Sequence, residues 1–308
     1  MTPLPPASRA RTYLRLVRPK QWIKNFFVFA PAVFAREIFH PGAALLTGKA
    51  FLAFCVAASA VYIINDMSDV EADRAHPVKR ERPLAARAIS RGGAAVVMVL
   101  LLIAAAGFAV TMPPAFAGVL AIYVVMNLAY SLRLKEVVLL DVFIIAAGFM
   151  LRVLGGAAAI GVPVSSWIVL CTLFISLFLG CAKRRGEIVT LQHAGGSLER
   201  KVLKSYTIGF IDQLLTIAAA GAVISYALYT VAPHTVETFG TDNLIYTTIF
   251  VLFGIFRYLY LVHTTEATEN PTNTVTSDPV IIVVVILWIA ACVLIIYGAQ
   301  GTGPLMRV

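Results

Sequence analysis

Nine long apolar stretches, near residues 22–38, 48–66, 93–112, 115–131, 138–160, 164–182, 209–232, 243–262 and 279–299, constrain this chain to a lipid bilayer. Most are long enough to cross about 30 Å of hydrocarbon as a helix. They predict an all-α integral membrane protein of about nine transmembrane helices. Composition agrees, with 59% hydrophobic and only 13% charged residues, against roughly 25% charged in soluble domains. Pro31 shortens the first stretch, and the brief connections at Met112-Pro113-Pro114 and Gly161-Val162-Pro163 imply tight helical hairpins. Residues 1–21 form a basic N-terminal segment ahead of a single transmembrane domain, 22–308. That segment leads into an interfacial Trp22 without a small-residue cleavage site, which speaks against a cleaved signal peptide.

The cations set the orientation. Arg9, Arg11, Arg15, Arg18, Lys20 and Lys24 precede or open the first stretch, and Arg74, Lys79, Arg80, Arg82, Arg87 and Arg91 follow the second. Arg133 and Lys135 follow the fourth, and Lys183, Arg184, Arg185, Arg200, Lys201 and Lys204 follow the sixth. The alternate connections hold only Arg36 and Lys49, with Arg307 at the far end. The positive-inside rule therefore predicts a cytoplasmic N-terminus and an external C-terminus in a multi-pass protein of the cytoplasmic membrane. The net charge of +9 serves topology and anionic headgroups as readily as any ligand. With no soluble basic domain, nucleic acid is excluded as a partner. Cys55, Cys171, Cys181 and Cys292 lie singly in apolar runs and read as small core residues.

Chemistry concentrates at Asn65-Asp66-Met67-Ser68-Asp69-Val70-Glu71-Ala72-Asp73, where an uncharged stretch meets a basic loop. Asp66, Asp69 and Asp73 are spaced i, i+3 and i+7, so on a helix they share one face with Asn65 beside them. Three stacked carboxylates repel. Shifted protonation, cations from the following loop, or a divalent metal would relieve them. Oxygen-only ligands suit Mg²⁺ shared with substrate phosphates, and Lys79, Arg80 and Arg82 nearby would complete a polyphosphate clamp. Tyr62 lies one turn before Asp66 on the same face.

Two further constellations stand out. Tyr130-Ser131-Leu132-Arg133-Leu134-Lys135 ends the fourth stretch, with Asp141 and Arg152 in the fifth. Ionisable residues inside a membrane are functional hypotheses by default. Asp141 and Arg152 share a helix face about three turns apart, too far to pair with each other; Arg152 either neutralises a carboxylate on another helix or meets substrate. Lys183-Arg184-Arg185-Gly186-Glu187 ends the sixth stretch. It is either a plain stop-transfer run or a second wall, facing the acidic motif, of one cytoplasmic cavity.

The segment Asn65-Asp66-x-x-Asp69-x-x-x-Asp73, followed by Arg74-Ala75-His76-Pro77 and Arg82-Pro83-Leu84, resembles the first aspartate motif of the UbiA-type intramembrane prenyltransferase superfamily. The resemblance implies nine helices around a lipid-accessible central cavity capped by cytoplasmic loops. Members that prenylate aromatic acceptors carry a second aspartate-rich motif after the sixth span, and together the two motifs hold two metal ions on a prenyl diphosphate. Here that place reads Lys183-Arg184-Arg185-x-Glu187. Four segments are instead similar to the decaprenyl-phosphate phosphoribosyltransferase branch. They are Arg18-Pro19-Lys20-Gln21-Trp22-Ile23-Lys24-Asn25, His76-Pro77-x-Lys79-x-x-Arg82-Pro83, Leu134-Lys135 with Leu140-Asp141-Val142, and Gly148-Phe149-x-Leu151-Arg152.

That branch implies transfer of phosphoribose from 5-phosphoribosyl 1-diphosphate to a polyprenyl phosphate, releasing diphosphate, in cell-envelope synthesis of lipid-linked sugar. Mg²⁺ would be held through Asn65 and Asp69, with Asp66 and Asp73 in support. Asp141 would stabilise positive charge at the anomeric carbon or grip a ribose hydroxyl. Lys24, Lys79, Arg82, Lys135, Lys183 and Arg184 would hold the several phosphates, with Arg152 and Glu187 also at the substrate. Tyr62 and Tyr130 contact phosphate or ribose, or serve as interfacial anchors.

Two other readings are compatible with these residues: an aromatic prenyltransferase using a prenyl diphosphate, and a membrane transporter with Asp141 and Arg152 as relay groups. Against the transporter, most charges cluster at the cytoplasmic ends of the stretches and no inverted repeat is evident. The sequence permits a homo-oligomer without requiring one.

Overall fold

The computed structural model describes residues 9–75, 78–193, 201–264 and 271–298. Of the residues singled out above, His76, Pro77, Arg200 and Arg307 lie outside these. Regular structure among the described residues is entirely helical, and eight helices are long and apolar enough to cross a membrane. In chain order they are α1 (Pro41–Ser68), α2 (Arg91–Val110), α3 (Pro114–Leu132), α4 (Leu140–Ile160), α5 (Ser166–His193), α6 (Ile208–Val231), α7 (Thr248–Thr264, which crosses together with the 3₁₀ turn Asn243–Thr247 before it) and α8 (Pro279–Gly298). The chain is a multi-pass membrane protein. It divides into two compact units, residues 1–164 with 198–205, and residues 165–197 with 206–308.

The stretch expected at 22–38 is not one continuous helix. A 3₁₀ helix runs Pro19–Phe29, a short α-helix follows at Ala30–Phe34, and a second 3₁₀ turn spans Glu37–Phe39. Proline is the cause. Pro31 has no N–H for the carbonyl four residues back and its ring crowds that turn, so it is accepted only where a new helix begins, which is where it stands. The other eight predicted stretches each match a long helix. Helix α1 starts earlier than its apolar stretch, with Pro41 in its first turn. Its 28 residues give about 42 Å at 1.5 Å per residue, more than the hydrocarbon needs, and the acidic motif occupies the end.

In the first unit α1 is the central element. Its buried face is built of Ala50, Ala53, Ala57, Ala58 and Ala60, small residues that let neighbouring backbones approach where lipid offers no hydrophobic drive. Phe54 fills the core between Phe116 and Tyr123, with ring centroids 6.0 Å and 5.3 Å away, both edge-on. Pro113 and Pro114 turn α2 directly into α3, as expected of a tight hairpin. Helix α4 presents Gly155 to the Phe54 ring and Gly156 to the Pro19–Phe29 segment. A Cβ on Gly156 would fall 2.0 Å from the Val28 carbonyl oxygen.

The N-terminal segment is tied to α1 through Ser59, which is fully buried. Its Oγ accepts from Trp22 Nε1 at 3.0 Å and lies 2.8 Å from the Val17 carbonyl and 2.9 Å from the Cys55 carbonyl. Ser59→Ala leaves the indole N–H without its acceptor and is expected to cost about 1–3 kcal/mol, read as a lower melting temperature in detergent.

In the second unit α5 packs along α6, and Gly221 lies under the Phe174 ring, where a Cβ would meet ring carbon at 2.4 Å. Two polar clusters of this unit are satisfied locally. The Tyr226 hydroxyl accepts from Trp288 Nε1 at 2.8 Å and shares a 2.7 Å hydrogen bond with Thr247 Oγ1. Asp278 caps α8 by accepting from the Ile281 N–H at 2.8 Å and also accepts from Arg257 at 2.8 Å. These bonds, Arg257 foremost, hold the Asp278 carboxyl below its ordinary range.

Candidate active site

The acidic motif lies across the bend where α1 ends and a short helix, Val70–Ala75, begins. The helical pitch survives the bend, because the Asp69 N–H donates to the Asn65 carbonyl at 2.9 Å and the Asp73 N–H to the Asp69 carbonyl at 2.8 Å. Asp66, Asp69 and Asp73 are all buried.

Three cations relieve them. Arg18 NH2 donates to both Asp66 oxygens, at 2.5 and 2.6 Å. Arg82 NH1 bridges Asp66 Oδ1 at 3.1 Å and Asp73 Oδ2 at 2.7 Å. Lys135 Nζ meets Asp69 Oδ1 at 2.5 Å and Ser68 Oγ at 3.0 Å. Burial pushes the Asp73 carboxyl up, and Arg82 opposes that shift. Of the remedies open at the sequence level, cation pairing is the one built into the chain, from the following loop at Arg82 and from more distant segments at Arg18 and Lys135. Buried ion pairs of this kind add little net stability, but removing one partner strands a buried charge.

Two of these cations depend on unusual local structure. Arg18 adopts left-handed backbone at φ 57° ahead of Pro19, and its guanidinium lies 5.4 Å over the Tyr62 ring. Lys135 sits on a 3₁₀ turn, Leu134–Glu136, that connects α3 to α4. Ser68 Oγ donates to the Ser131 carbonyl at 2.9 Å, joining the end of α1 to the end of α3. Leu139, at φ 67°, then turns the chain into α4 and places Asp141, fully buried, in its first turn. A helix N-terminus favours a carboxylate there.

Asn65 and Asp69 stand one turn apart, with Asn65 Nδ2 donating to Asp69 Oδ2 at 3.1 Å and Ser131 Oγ lying 3.5 Å from Asn65 Oδ1. Among the described residues no three His, Cys, Asp or Glu side chains form a metal-binding group. The Asn65 and Asp69 oxygens nevertheless fit Mg²⁺, which takes one or two protein oxygens and completes its shell with water and substrate phosphate.

Deeper in the first unit, Arg152 is buried on α4. Its Nε donates to Asn25 Oδ1 at 2.6 Å, NH1 to the Gly148 carbonyl at 2.7 Å and NH2 to the Tyr123 hydroxyl at 2.9 Å. Among the described residues it pairs with no carboxylate, so the cross-helix ion pair weighed from sequence is absent. Lys24 lies in the electrostatic field of Arg152 and Arg18, as does Tyr62. Lys79 and Tyr130 are half-buried, Lys79 on the 3₁₀ turn Lys79–Glu81 and Tyr130 near the end of α3.

The remaining candidates belong to the second unit. Arg184 is completely buried and pairs with Glu187 one turn on. Arg185 donates to Asp212 at 2.8 Å and to the Val262 carbonyl at 2.7 Å, while Lys183 is half-buried on the same turns of α5. Sequence reading did not place Arg18, Asn25, Ser68, Ser131 or Tyr123 among the site candidates. Arg18 was hidden among cations that suffice for topology, and Tyr123 carries no sequence signal.

A sequence profile of the UbiA prenyltransferase family matches residues 26–276. The chain belongs to that family. Among curated UbiA relatives, the decaprenyl-phosphate phosphoribosyltransferase of Corynebacterium glutamicum is 36% identical over 300 residues, covering 95% of this chain and 89% of the relative. The decaprenyl-phosphate phosphoribosyltransferase of Mycolicibacterium smegmatis is 36% identical over 229 residues, covering 73% of this chain and 72% of its own. Among solved structures, a UbiA homologue from Archaeoglobus fulgidus bound to GPP and Mg²⁺ superposes with a TM-score of 0.70 at 20% identity, over 94% of this chain and 100% of that one. A UbiA homologue from Aeropyrum pernix K1 gives 0.66 at 19% identity, over 88% and 98%. The fold is thus the UbiA membrane fold.

Proposed function

We propose that this UbiA-family protein transfers 5-phosphoribose from 5-phosphoribosyl 1-diphosphate to a polyprenyl phosphate of decaprenyl type, releasing diphosphate, with Mg²⁺ as cofactor. The observation that carries the reading is the 36% identity to a decaprenyl-phosphate phosphoribosyltransferase across 95% of the chain. It is supported by Lys183-Arg184-Arg185 standing where aromatic prenyltransferases would carry a second aspartate motif. The basic loops next to the acidic motif support a site facing the cytoplasm, in a pathway that builds lipid-linked sugar for the cell envelope.

The residues suit the chemistry. The C1–O bond to diphosphate breaks as a lipid phosphate oxygen bonds to C1. Asn65 and Asp69 would hold Mg²⁺, with Asp66 and Asp73 fixed beside them by Arg18 and Arg82. Bound there with the diphosphate, Mg²⁺ supplies charge neutralisation to the leaving group. Asp141 offers a carboxylate to the positive charge that develops at the anomeric carbon or to a ribose hydroxyl. Lys79 and Arg82 would bind the diphosphate, and Tyr62 and Tyr130 would contact phosphate or ribose. The lipid phosphate is already ionised, so no general base is needed.

Purified protein given polyprenyl phosphate, Mg²⁺ and phosphoribosyl diphosphate labelled in the ribose is expected to move label into the organic phase. EDTA is expected to abolish transfer and excess Mg²⁺ to restore it. Label that stays aqueous with Mg²⁺ present would refute the reading.

A further inference from the structure

The charges of the first unit balance at the acidic motif and fail to balance behind it. Asp66, Asp69 and Asp73 are met by Arg18, Arg82 and Lys135. Among the described residues Lys24 and Arg152 have no such partners. Every hydrogen bond of Arg152 ends on a neutral group, namely the Asn25 amide, the Gly148 carbonyl and the Tyr123 hydroxyl. Its guanidinium otherwise faces aromatic rings, 4.8 Å from the Tyr123 centroid and 5.5 Å from that of Phe149. Lys24 makes no hydrogen bond or ion pair among the described residues, and the charges that act on it, those of Arg152 and Arg18, repel it.

An unpaired cation held away from water costs several kcal/mol. Asp141 cannot supply the missing charge, because eleven residues along α4 place it about 16 Å away. The chain instead fixes the unbalanced cation in place. Asn25 Nδ2 donates to Cys55 Sγ at 3.2 Å, which turns the amide oxygen toward Arg152. A guanidinium carries five N–H groups; three are taken here, leaving one N–H on each terminal nitrogen, and Lys24 adds its ammonium.

We propose that Lys24 and Arg152 form a subsite for a phosphate monoester, distinct from the diphosphate position at Asn65 and Asp69. Two positive charges match a group that carries about −1.5 to −2 at neutral pH. The guanidinium's remaining N–H pair suits two oxygens of one phosphate. The subsite rests on the phosphoribosyl-transfer reading for its two sources of monoester, the lipid phosphate and the ribose 5-phosphate. Aromatic residues beside it, with Phe27 and Phe149 ring centroids 5.0 Å apart, offer an apolar wall to a prenyl chain.

The test is binding without turnover. Full-length protein in detergent and EDTA is titrated with farnesyl phosphate or ribose 5-phosphate and followed by thermal shift, with farnesol and ribose as uncharged controls. At least one monoester is expected to raise the melting temperature where its control does not. Lys24→Gln, which removes a side chain with no bonds to lose among the described residues, is expected to weaken that binding about tenfold or more. Arg152→Gln is expected to do the same where it folds. A response to farnesyl phosphate alone assigns the subsite to the lipid, and to ribose 5-phosphate alone assigns it to the donor. Equal shifts from phosphates and controls, no shift at all, or shifts unchanged in Lys24→Gln would overturn the proposal. Because no metal or transfer is involved, this outcome is independent of whether the phosphoribosyl assay succeeds.

Discussion

Asp69→Asn is expected to lower phosphoribosyl transfer at least about 100-fold per folded molecule, a loss of the size seen when one electrostatic contact to a transition state is removed. Asp69 has two tasks. One oxygen meets Lys135 at 2.5 Å and the other accepts from Asn65 at 3.1 Å. The isosteric amide keeps the shape and removes the charge. Lys135 then becomes a buried ammonium without a counter-ion, and the oxygen pair proposed to hold Mg²⁺ loses its only negative member. Stability falls too, since removing one partner of a buried pair costs about 3–5 kcal/mol, so activity is normalised to the folded fraction by size exclusion. Glu71→Gln is the control. Glu71 lies beside the same motif but pairs with Arg74 at the surface, where such bridges contribute about 0–1 kcal/mol, and near wild-type transfer is expected. Comparable loss in both variants would contradict the assignment of Asp69 to the chemistry.

Gly156→Ala is expected to produce the largest structural effect of any single methyl group added to the first unit. The new Cβ would fall 2.0 Å from the Val28 carbonyl oxygen and 2.9 Å from its carbon, both backbone atoms without a rotamer to yield. Relief requires the Pro19–Phe29 segment to move off α4. That segment carries Trp22, Lys24 and Asn25, so displacement withdraws the Asn25 oxygen from Arg152. Overpacking typically costs about 1–3 kcal/mol, and a backbone clash places this site at the upper end. A clear drop in melting temperature together with lost activity is expected. Gly107→Ala and Gly118→Ala, where nothing lies within 4 Å of the added Cβ, are expected to melt near wild type. A Gly156→Ala protein as stable as these two would mean that the segment does not pack on α4 as described.

The fold was legible wherever a stretch of apolar residues was long and free of proline. Eight stretches became long helices, and the ninth broke at Pro31 because a proline can open a helix but not continue one. The acidic face was legible because the spacing of Asp66, Asp69 and Asp73 follows the helical period, and local i to i−4 bonds preserve that period across the bend. The cations that meet it were only partly so. Arg82 lies nine residues beyond Asp73, whereas Arg18 is 48 residues before Asp66 and sits among arginines that topology already explains. Arg152 drew attention as a charge in an apolar run, but its partners could not be read. Asn25 is 127 positions away and Tyr123 is 29 positions away, and both are neutral, so charge complementarity gave no guide.

The central claim is that the acceptor is a lipid phosphate and the donor a phosphoribosyl diphosphate. The most direct test offers purified protein and Mg²⁺ both substrate pairs at once: polyprenyl phosphate with phosphoribosyl diphosphate, and prenyl diphosphate with 4-hydroxybenzoate. Lipid products are then identified by mass spectrometry. A polyprenyl phosphate gaining one phosphoribosyl group, and lost in Asp69→Asn, is the predicted result. Prenylated 4-hydroxybenzoate as the sole product would contradict it and make this an aromatic prenyltransferase.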